Sequence, residues 1–194
     1  MAKISIIGAG SWGTALGLLL CNNGHDVTIC SENEKEIESL KEHREHLTKL
    51  PGVRLPDEMK FTCDVRGSLS GQDILVMAKA SVRTTCKKYA ADIPDGQLIV
   101  NVAKGVEADT LMTMSQIIEE EVPGANVVVL SGPSHAEEVG RGLPTTIVVG
   151  AHDRESALYV QNVFMSPVFR VYTSPDITGI ELGGALKNVI ALAG

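Results

Sequence analysis

The sequence has 194 residues, carries 17 Lys and Arg against 24 Asp and Glu for a net charge of −7, and is 4% aromatic. That acidity leaves no cationic footprint for phosphate-backbone binding, and so few rings offer little for base stacking; nucleic acid is not an expected partner. No apolar run approaches the ~18 residues of a membrane span, so no membrane insertion is expected. Cys21, Cys30, Cys63 and Cys86 form no C-x-x-C pair, which fits free thiols in a reducing cytoplasm and no metal site.

Lys3 and the apolar stretch 4–21 superficially resemble a secretion signal. A cleavage site wants small residues before the cut, however, and Leu20 is not small; Gly8, Gly10, Ser11 and Gly13 also interrupt the apolar core. The same residues read better as a strand, a turn and a helix. Short apolar runs at 4–7, 27–30, 74–78, 98–102 and 127–130 lack period-two alternation, as strands covered on both faces do. Helical patterns at 12–23, 34–42, 82–91 and 110–121 alternate with them, while Pro51-Gly52 and Leu55-Pro56-Asp57 mark a turn-rich segment. Strands at 145–149 and 168–172 flank a further helix at 154–164. The alternation predicts an α/β fold, a mostly parallel, doubly wound sheet with helices on both faces.

Ser174-Pro175-Asp176 predicts a helix start, with serine as cap, proline at the first helical position and an acid at the positive end. This helix runs to Ala191-Leu192-Ala193-Gly194 without a polar tail. The expectation is a domain over 1–172, and over 173–194 the first helix of a second domain that the chain lacks.

Gly8-Ala9-Gly10-Ser11-Trp12-Gly13 is a G-x-G-x-x-G between a predicted strand and helix. Gly8 suits a tight turn, Gly10 lets backbone approach a pyrophosphate, and Gly13 lets helix pack on strand: the Rossmann arrangement for dinucleotides. Glu32 follows Gly13 by 19 residues, close to the ~20 expected of an acid that reads the ribose hydroxyls. It favours NAD as cofactor and NADP less, because a carboxylate repels the additional phosphate. Glu32 also heads a charged stretch with Glu34, Lys35, Glu36 and Glu38, where it would simply be solvated.

Lys104 lies just past a strand's carboxyl end, where open α/β sheets bind ligands. Ser131-Gly132-Pro133-Ser134-His135-Ala136 repeats the strand-to-turn arrangement with small residues that expose amides to a phosphate. Gly183-Gly184-Ala185-Leu186-Lys187-Asn188 places two glycines inside a helix, at ~1 kcal/mol each relative to alanine, which suggests close approach of backbone or ligand. His43 and His46 lie three apart in a charged region and read as a solvated helix face, and Glu119-Glu120-Glu121 as a solvated helix end.

G-A-G-S-W-G-T-A-L at 8–16, K-G-V-E at 104–107, S-G-P-S-H-A-E-E-V at 131–139, F-R-V-Y at 169–172 and E-L-G-G-A-L-K-N at 181–188 together resemble the bacterial NAD(P)-dependent sn-glycerol-3-phosphate dehydrogenases. The resemblance implies an N-terminal Rossmann domain, a helical substrate domain, and reversible reduction of dihydroxyacetone phosphate to sn-glycerol 3-phosphate for phospholipid synthesis. It further implies that Ser11, Trp12 and Ala136 contact the cofactor, Lys104 cofactor and substrate, Gly132 and Ser134 the substrate, and that Lys187 is the catalytic acid/base. Many such proteins carry a basic residue at the positions of Glu32 and Asn33, and the two non-basic residues here favour NAD; they often carry an aromatic at the position of Lys49, so no cofactor contact is carried over to Lys49. Another two-domain hydroxyacid or sugar-acid dehydrogenase, or a dinucleotide sensor without catalysis, is the competing reading, and a homodimer of the full-length protein is left open.

Overall fold

The computed structural model describes residues 1–193; Gly194, the last residue of the predicted terminal helix, lies outside the described residues. The strands are β1 (Lys3–Ile7), β2 (Asp26–Cys30), β3 (Glu45–His46), β4 (Leu50–Arg54), β5 (Lys60–Thr62), β6 (Ile74–Met77), β7 (Leu98–Asn101), β8 (Asn126–Ser131), β9 (Thr145–Ala151) and β10 (Phe169–Thr173). Between and after them run the helices α1 (Ser11–Asn22), α2 (Glu34–His43), α3 (Val82–Tyr89), α4 (Met114–Glu121), α5 (Ala136–Gly140), α6 (Arg154–Phe164) and α7 (Ile177–Ala193). None of the described helices is long and apolar enough to cross a membrane.

Eight strands form one sheet in the order β10-β9-β8-β7-β6-β1-β2-β5, with β3 and β4 a separate hairpin. Every pairing in the large sheet is parallel except β8 with β9. The chain winds outward from β1 through β2 to β5, then returns to β1's other side with β6 and winds the opposite way, so the sheet reverses between β1 and β6. Successive side chains of a strand point to opposite faces, and the core divides accordingly. Ile4, Ile6, Val76 and Val100 meet Leu16, Leu20 and Phe164 on one face. Ile7, Leu75, Met77 and Ile99 meet Val82, Cys86, Ile117 and Ile118 on the other. Burial on both faces is what removes the polar alternation from these strands.

Several local expectations shift. The helix anticipated over 110–121 starts only at Met114, because Thr113 and Gln116 close a capping box and Leu111 takes a left-handed φ of 59°. The turn-rich segment contains β4, and Pro51 sits in a two-stranded hairpin where each strand is an edge. His46 lies on that hairpin rather than on a helix, buried against Glu36 at 3.2 Å. Arg83 gathers Glu120 and Glu121, so that run is paired as well as solvated. At the start of α7 the cap is Asp176, which accepts from Gly179 N at 2.8 Å, while Ser174 Oγ accepts from Asp176 N at 3.2 Å.

Candidate functional site

The carboxyl ends of β1 and β6 border a crevice at the sheet's reversal point, the usual ligand position in such sheets. Gly8 turns there with φ +119°, and a Cβ on it would stand 3.1 Å from the Ala78 carbonyl carbon. A Cβ on Gly13 would fall 2.1 Å from Gly8 O, so the first turn of α1 presses directly on the turn that precedes it. At Gly10 a Cβ would meet nothing within 4 Å. Its missing side chain therefore leaves open space along the backbone rather than relieving a contact. No side chain caps α1 and no acid occupies its first turn, so its amides and positive dipole end stay available to an anion.

The crevice has two connected lobes that share Ser11, Ala78 and Ala80. The first, about 410 Å³, includes Gly8, Gly10, Glu32, Glu36, Lys49, Lys79 and Tyr89. Glu32 is surrounded: Lys88 Nζ and Tyr89 OH both donate to Oε1, and Lys79 Nζ lies 3.5 Å from Oε2. Hydrogen bonds from Lys88 and then Tyr89 hold its carboxyl down at about 2. Burial first, and then the hydrogen bond to Glu32, pushes the Tyr89 phenol up to about 12. Opposite, Lys49 donates to Glu36.

The second lobe, about 380 Å³, is lined by Trp12, Lys104, Ser134 and Ala136 among others. Lys104 Nζ donates to Gly132 O at 3.0 Å and Ser134 Oγ at 3.3 Å, and stands 5.8 Å from the Trp12 ring centre. Burial, and then the charge of Lys187, lower its pKa below that of an ordinary lysine. Trp12 lines this lobe, and its Nε1 is buried without a partner. A third cavity, about 300 Å³, adjoins this end between β8 and α7 and is lined by Gly132, Gly183, Gly184 and Lys187. The structure thus gathers Gly8, Gly10, Glu32 and Ser11 at one end, Trp12, Lys104, Ser134 and Ala136 at the other, and Gly132 and Lys187 beside the latter, with Gly13 beneath the loop.

What positions the lysines was not anticipated. Buried Asn101 accepts from Ala103 N at 3.1 Å, shaping the turn that carries Lys104, and donates to Glu181 Oε1 at 3.2 Å. Glu181, buried on α7, also accepts from Ser115 N at 2.9 Å and Ser115 Oγ at 2.6 Å. One carboxyl therefore joins the Lys187 helix, the Lys104 turn and the start of α4. Lys79, Lys88 and Tyr89 were likewise missed, although Lys79 lies just past the end of β6 as Lys104 lies past β7; Lys49, to which no cofactor contact was carried over, lines the first lobe.

The backbone features of a dinucleotide site are present: a tight turn at Gly8, open space at Gly10, and an uncapped helix start. Residues 3–157 match the family described as NAD-dependent glycerol-3-phosphate dehydrogenase N-terminus. The chain is 60% identical over 195 residues to a glycerol-3-phosphate dehydrogenase [NAD(P)+] of Agathobacter rectalis, covering all of this chain and 58% of that protein. It is 57% identical over 197 residues to the namesake of Fusobacterium nucleatum, covering 59% of it. The crystal structure of glycerol-3-phosphate dehydrogenase from Coxiella burnetii superposes with a TM-score of 0.92 at 28% identity, over 99% of this chain and 59% of the other. The chain accordingly spans less than two thirds of the length of these relatives.

Proposed function

The chain belongs to the NAD-dependent glycerol-3-phosphate dehydrogenase family, and from that premise we propose that its protein reversibly reduces dihydroxyacetone phosphate to sn-glycerol 3-phosphate, in the cytoplasm, for glycerophospholipid synthesis. Residues 1–172 would form the cofactor domain, and 173–194 would begin the helical substrate domain. The observation that carries this reading is the meeting of Lys104 with the 132–134 turn, at the mouth of the glycine-loop crevice and within electrostatic reach of Lys187.

The first lobe would hold the adenosine half of the dinucleotide, with Gly8, Gly10 and Ser11 at its phosphates. Glu32 would accept from a ribose hydroxyl, and NAD is the preferred cofactor on that account. Trp12 and Ala136 border the lobe that would receive the nicotinamide, which supplies the hydride when bound. Lys104, Gly132 and Ser134 would hold the phosphate-bearing ketone. Lys187 would stand at its carbonyl oxygen, stabilise the charge that develops there and deliver the proton, then take it back in the oxidative direction. The charge of Lys187, after burial, in turn lowers the proton affinity of Lys104.

The test is NADH oxidation with dihydroxyacetone phosphate by the protein and by its Lys187→Ala variant, with NADH binding followed separately by fluorescence. The expected result is a loss of about 10²–10⁴-fold in turnover with NADH still bound. Equal turnover by both forms overturns the role of Lys187, and no turnover by the unaltered protein overturns the substrate.

A further inference from the structure

A carboxylate at the end of β2 should reject a dinucleotide carrying a phosphate on its adenosine ribose, since that group bears about −1.5 to −2 charges near neutral pH. Glu32, however, is not a bare carboxylate. Lys88 donates to one of its oxygens and Lys79 stands 3.5 Å from the other. With Glu36 and its partner Lys49 on the opposite side, this end of the crevice holds three lysines against two acids. An anion arriving beside Glu32 therefore meets a surplus of positive charge. Both lysines keep half or nearly half of their side chains in solvent, 40% for Lys79 and 53% for Lys88. Each can swing from the carboxylate toward a neighbouring phosphate without leaving a buried group unpaired, and Lys79 already lines the cavity.

We propose that Lys79 and Lys88, flanking Glu32, are specificity-determining residues that let this site bind the 2′-phosphorylated dinucleotide as well as the unphosphorylated one. The inference rests on the dinucleotide reading above and deepens it: Glu32 serves the free ribose, and the two lysines serve the phosphate. Tyr89, which holds Glu32 Oε1 from the α3 side, keeps the carboxylate in place when a lysine leaves it.

The test is a pair of binding titrations, NADH and NADPH, read by nucleotide fluorescence and independent of turnover. The Lys79→Met/Lys88→Met double variant should lower the NADPH-to-NADH affinity ratio at least tenfold. The Lys79→Arg/Lys88→Arg variant should keep the ratio near its original value, because the cations remain, and Glu32→Gln should raise it. NADPH affinity should also fall more steeply with added salt than NADH affinity. A ratio unmoved by the double methionine variant overturns the proposal, as does a parallel loss of both nucleotides, which would mean the lysines only support Glu32. Binding of NADH with no measurable NADPH in the unaltered protein overturns it too. Binding of neither nucleotide instead overturns the dinucleotide reading itself.

Discussion

At the Glu32 end of the crevice the lysines stand beside acids: Lys79 and Lys88 by Glu32, Lys49 by Glu36. At the other end Lys104 donates to a carbonyl and a hydroxyl, both neutral. Among the described residues no carboxylate comes within ion-pair distance of Lys104 or Lys187. The two ends thus treat charge differently. The first offsets two of its three lysine charges with acids, and those lysines are solvent-exposed enough to exchange partners at little cost. The second leaves positive charge uncompensated by protein, which attracts an anion and lowers the proton affinity of a lysine. Fixing such lysines requires a rigid backing, and that backing is the buried Glu181 network.

The largest effect is therefore expected behind the Lys104 end. Glu181→Ala leaves Ser115 N without an acceptor in a buried place, and leaves Asn101 Nδ2 and Ser115 Oγ only their longer contacts to Ala103 O at 3.3 Å and Thr113 Oγ1 at 3.2 Å. A loss of about 3 kcal/mol follows, a drop of roughly 6–12 °C in melting temperature for a chain of this size. Because Glu181 ties α7 to the Lys104 turn, substrate KM should rise more than NADH affinity falls. Calorimetry and the two titrations check this, and equal loss at both ends would erase the distinction between them.

An intermediate effect tests how closely α7 must approach β8. A Cβ on Gly184 would lie 2.4 Å from Ser131 Oγ, a buried hydroxyl without a partner, but 3.7 Å from Ser131 Cβ. Two terms oppose each other in Gly184→Ala. Helix propensity gains ~1 kcal/mol, while overpacking costs ~1–3 kcal/mol, so a net loss of about 1 kcal/mol is expected. Removing the hydroxyl should reverse the sign, since alanine at position 131 leaves only ordinary contact. The Ser131→Ala/Gly184→Ala pair should therefore melt no lower than Ser131→Ala alone, a coupling that a double-mutant cycle reads directly.

The sequence carried one end of the crevice further than the other. A glycine loop is a matter of spacing within six residues: Gly8 turns with a positive φ and Gly13 lets α1 press on that turn as the spacing implies, while Gly10 leaves open space. The alternation of strands and helices was readable for the same reason, because two-sided burial shows as unbroken apolar runs. Glu32 was readable but its company was not: Lys79, Lys88 and Tyr89 come from 47, 56 and 57 residues away. Glu181 meets Ser115 and Asn101 across 66 and 80 residues, and no local pattern announces such pairings. Around Lys49, Pro51-Gly52 masked a hairpin as a plain turn, and the hairpin is what brings that lysine to the crevice. The misplaced start of α4 has a simpler cause: Thr113 and Gln116 cap the helix four residues into an apolar pattern that reads as continuous.

The smallest effect belongs to the Glu32 end and concerns acid. Glu32 sits at about 2 in the folded chain against 4.5 for a free glutamate. A depressed carboxyl contributes stability that is complete above 4.5 and is lost as pH falls through about 2, because below both values folded and unfolded chains bind the same proton. The shift would suggest a large term, yet the Glu32 side chain is 39% exposed and its lysine partners more so, so water screens the pairs and the contribution stays below about 1 kcal/mol. Urea melts of the protein and of Glu32→Gln should differ by no more than that at pH 7, with the gap closing steadily toward pH 2. A gap of several kcal/mol would mean that the charges around Glu32 are a structural clamp, not the exchangeable cluster that a second, more highly charged dinucleotide requires.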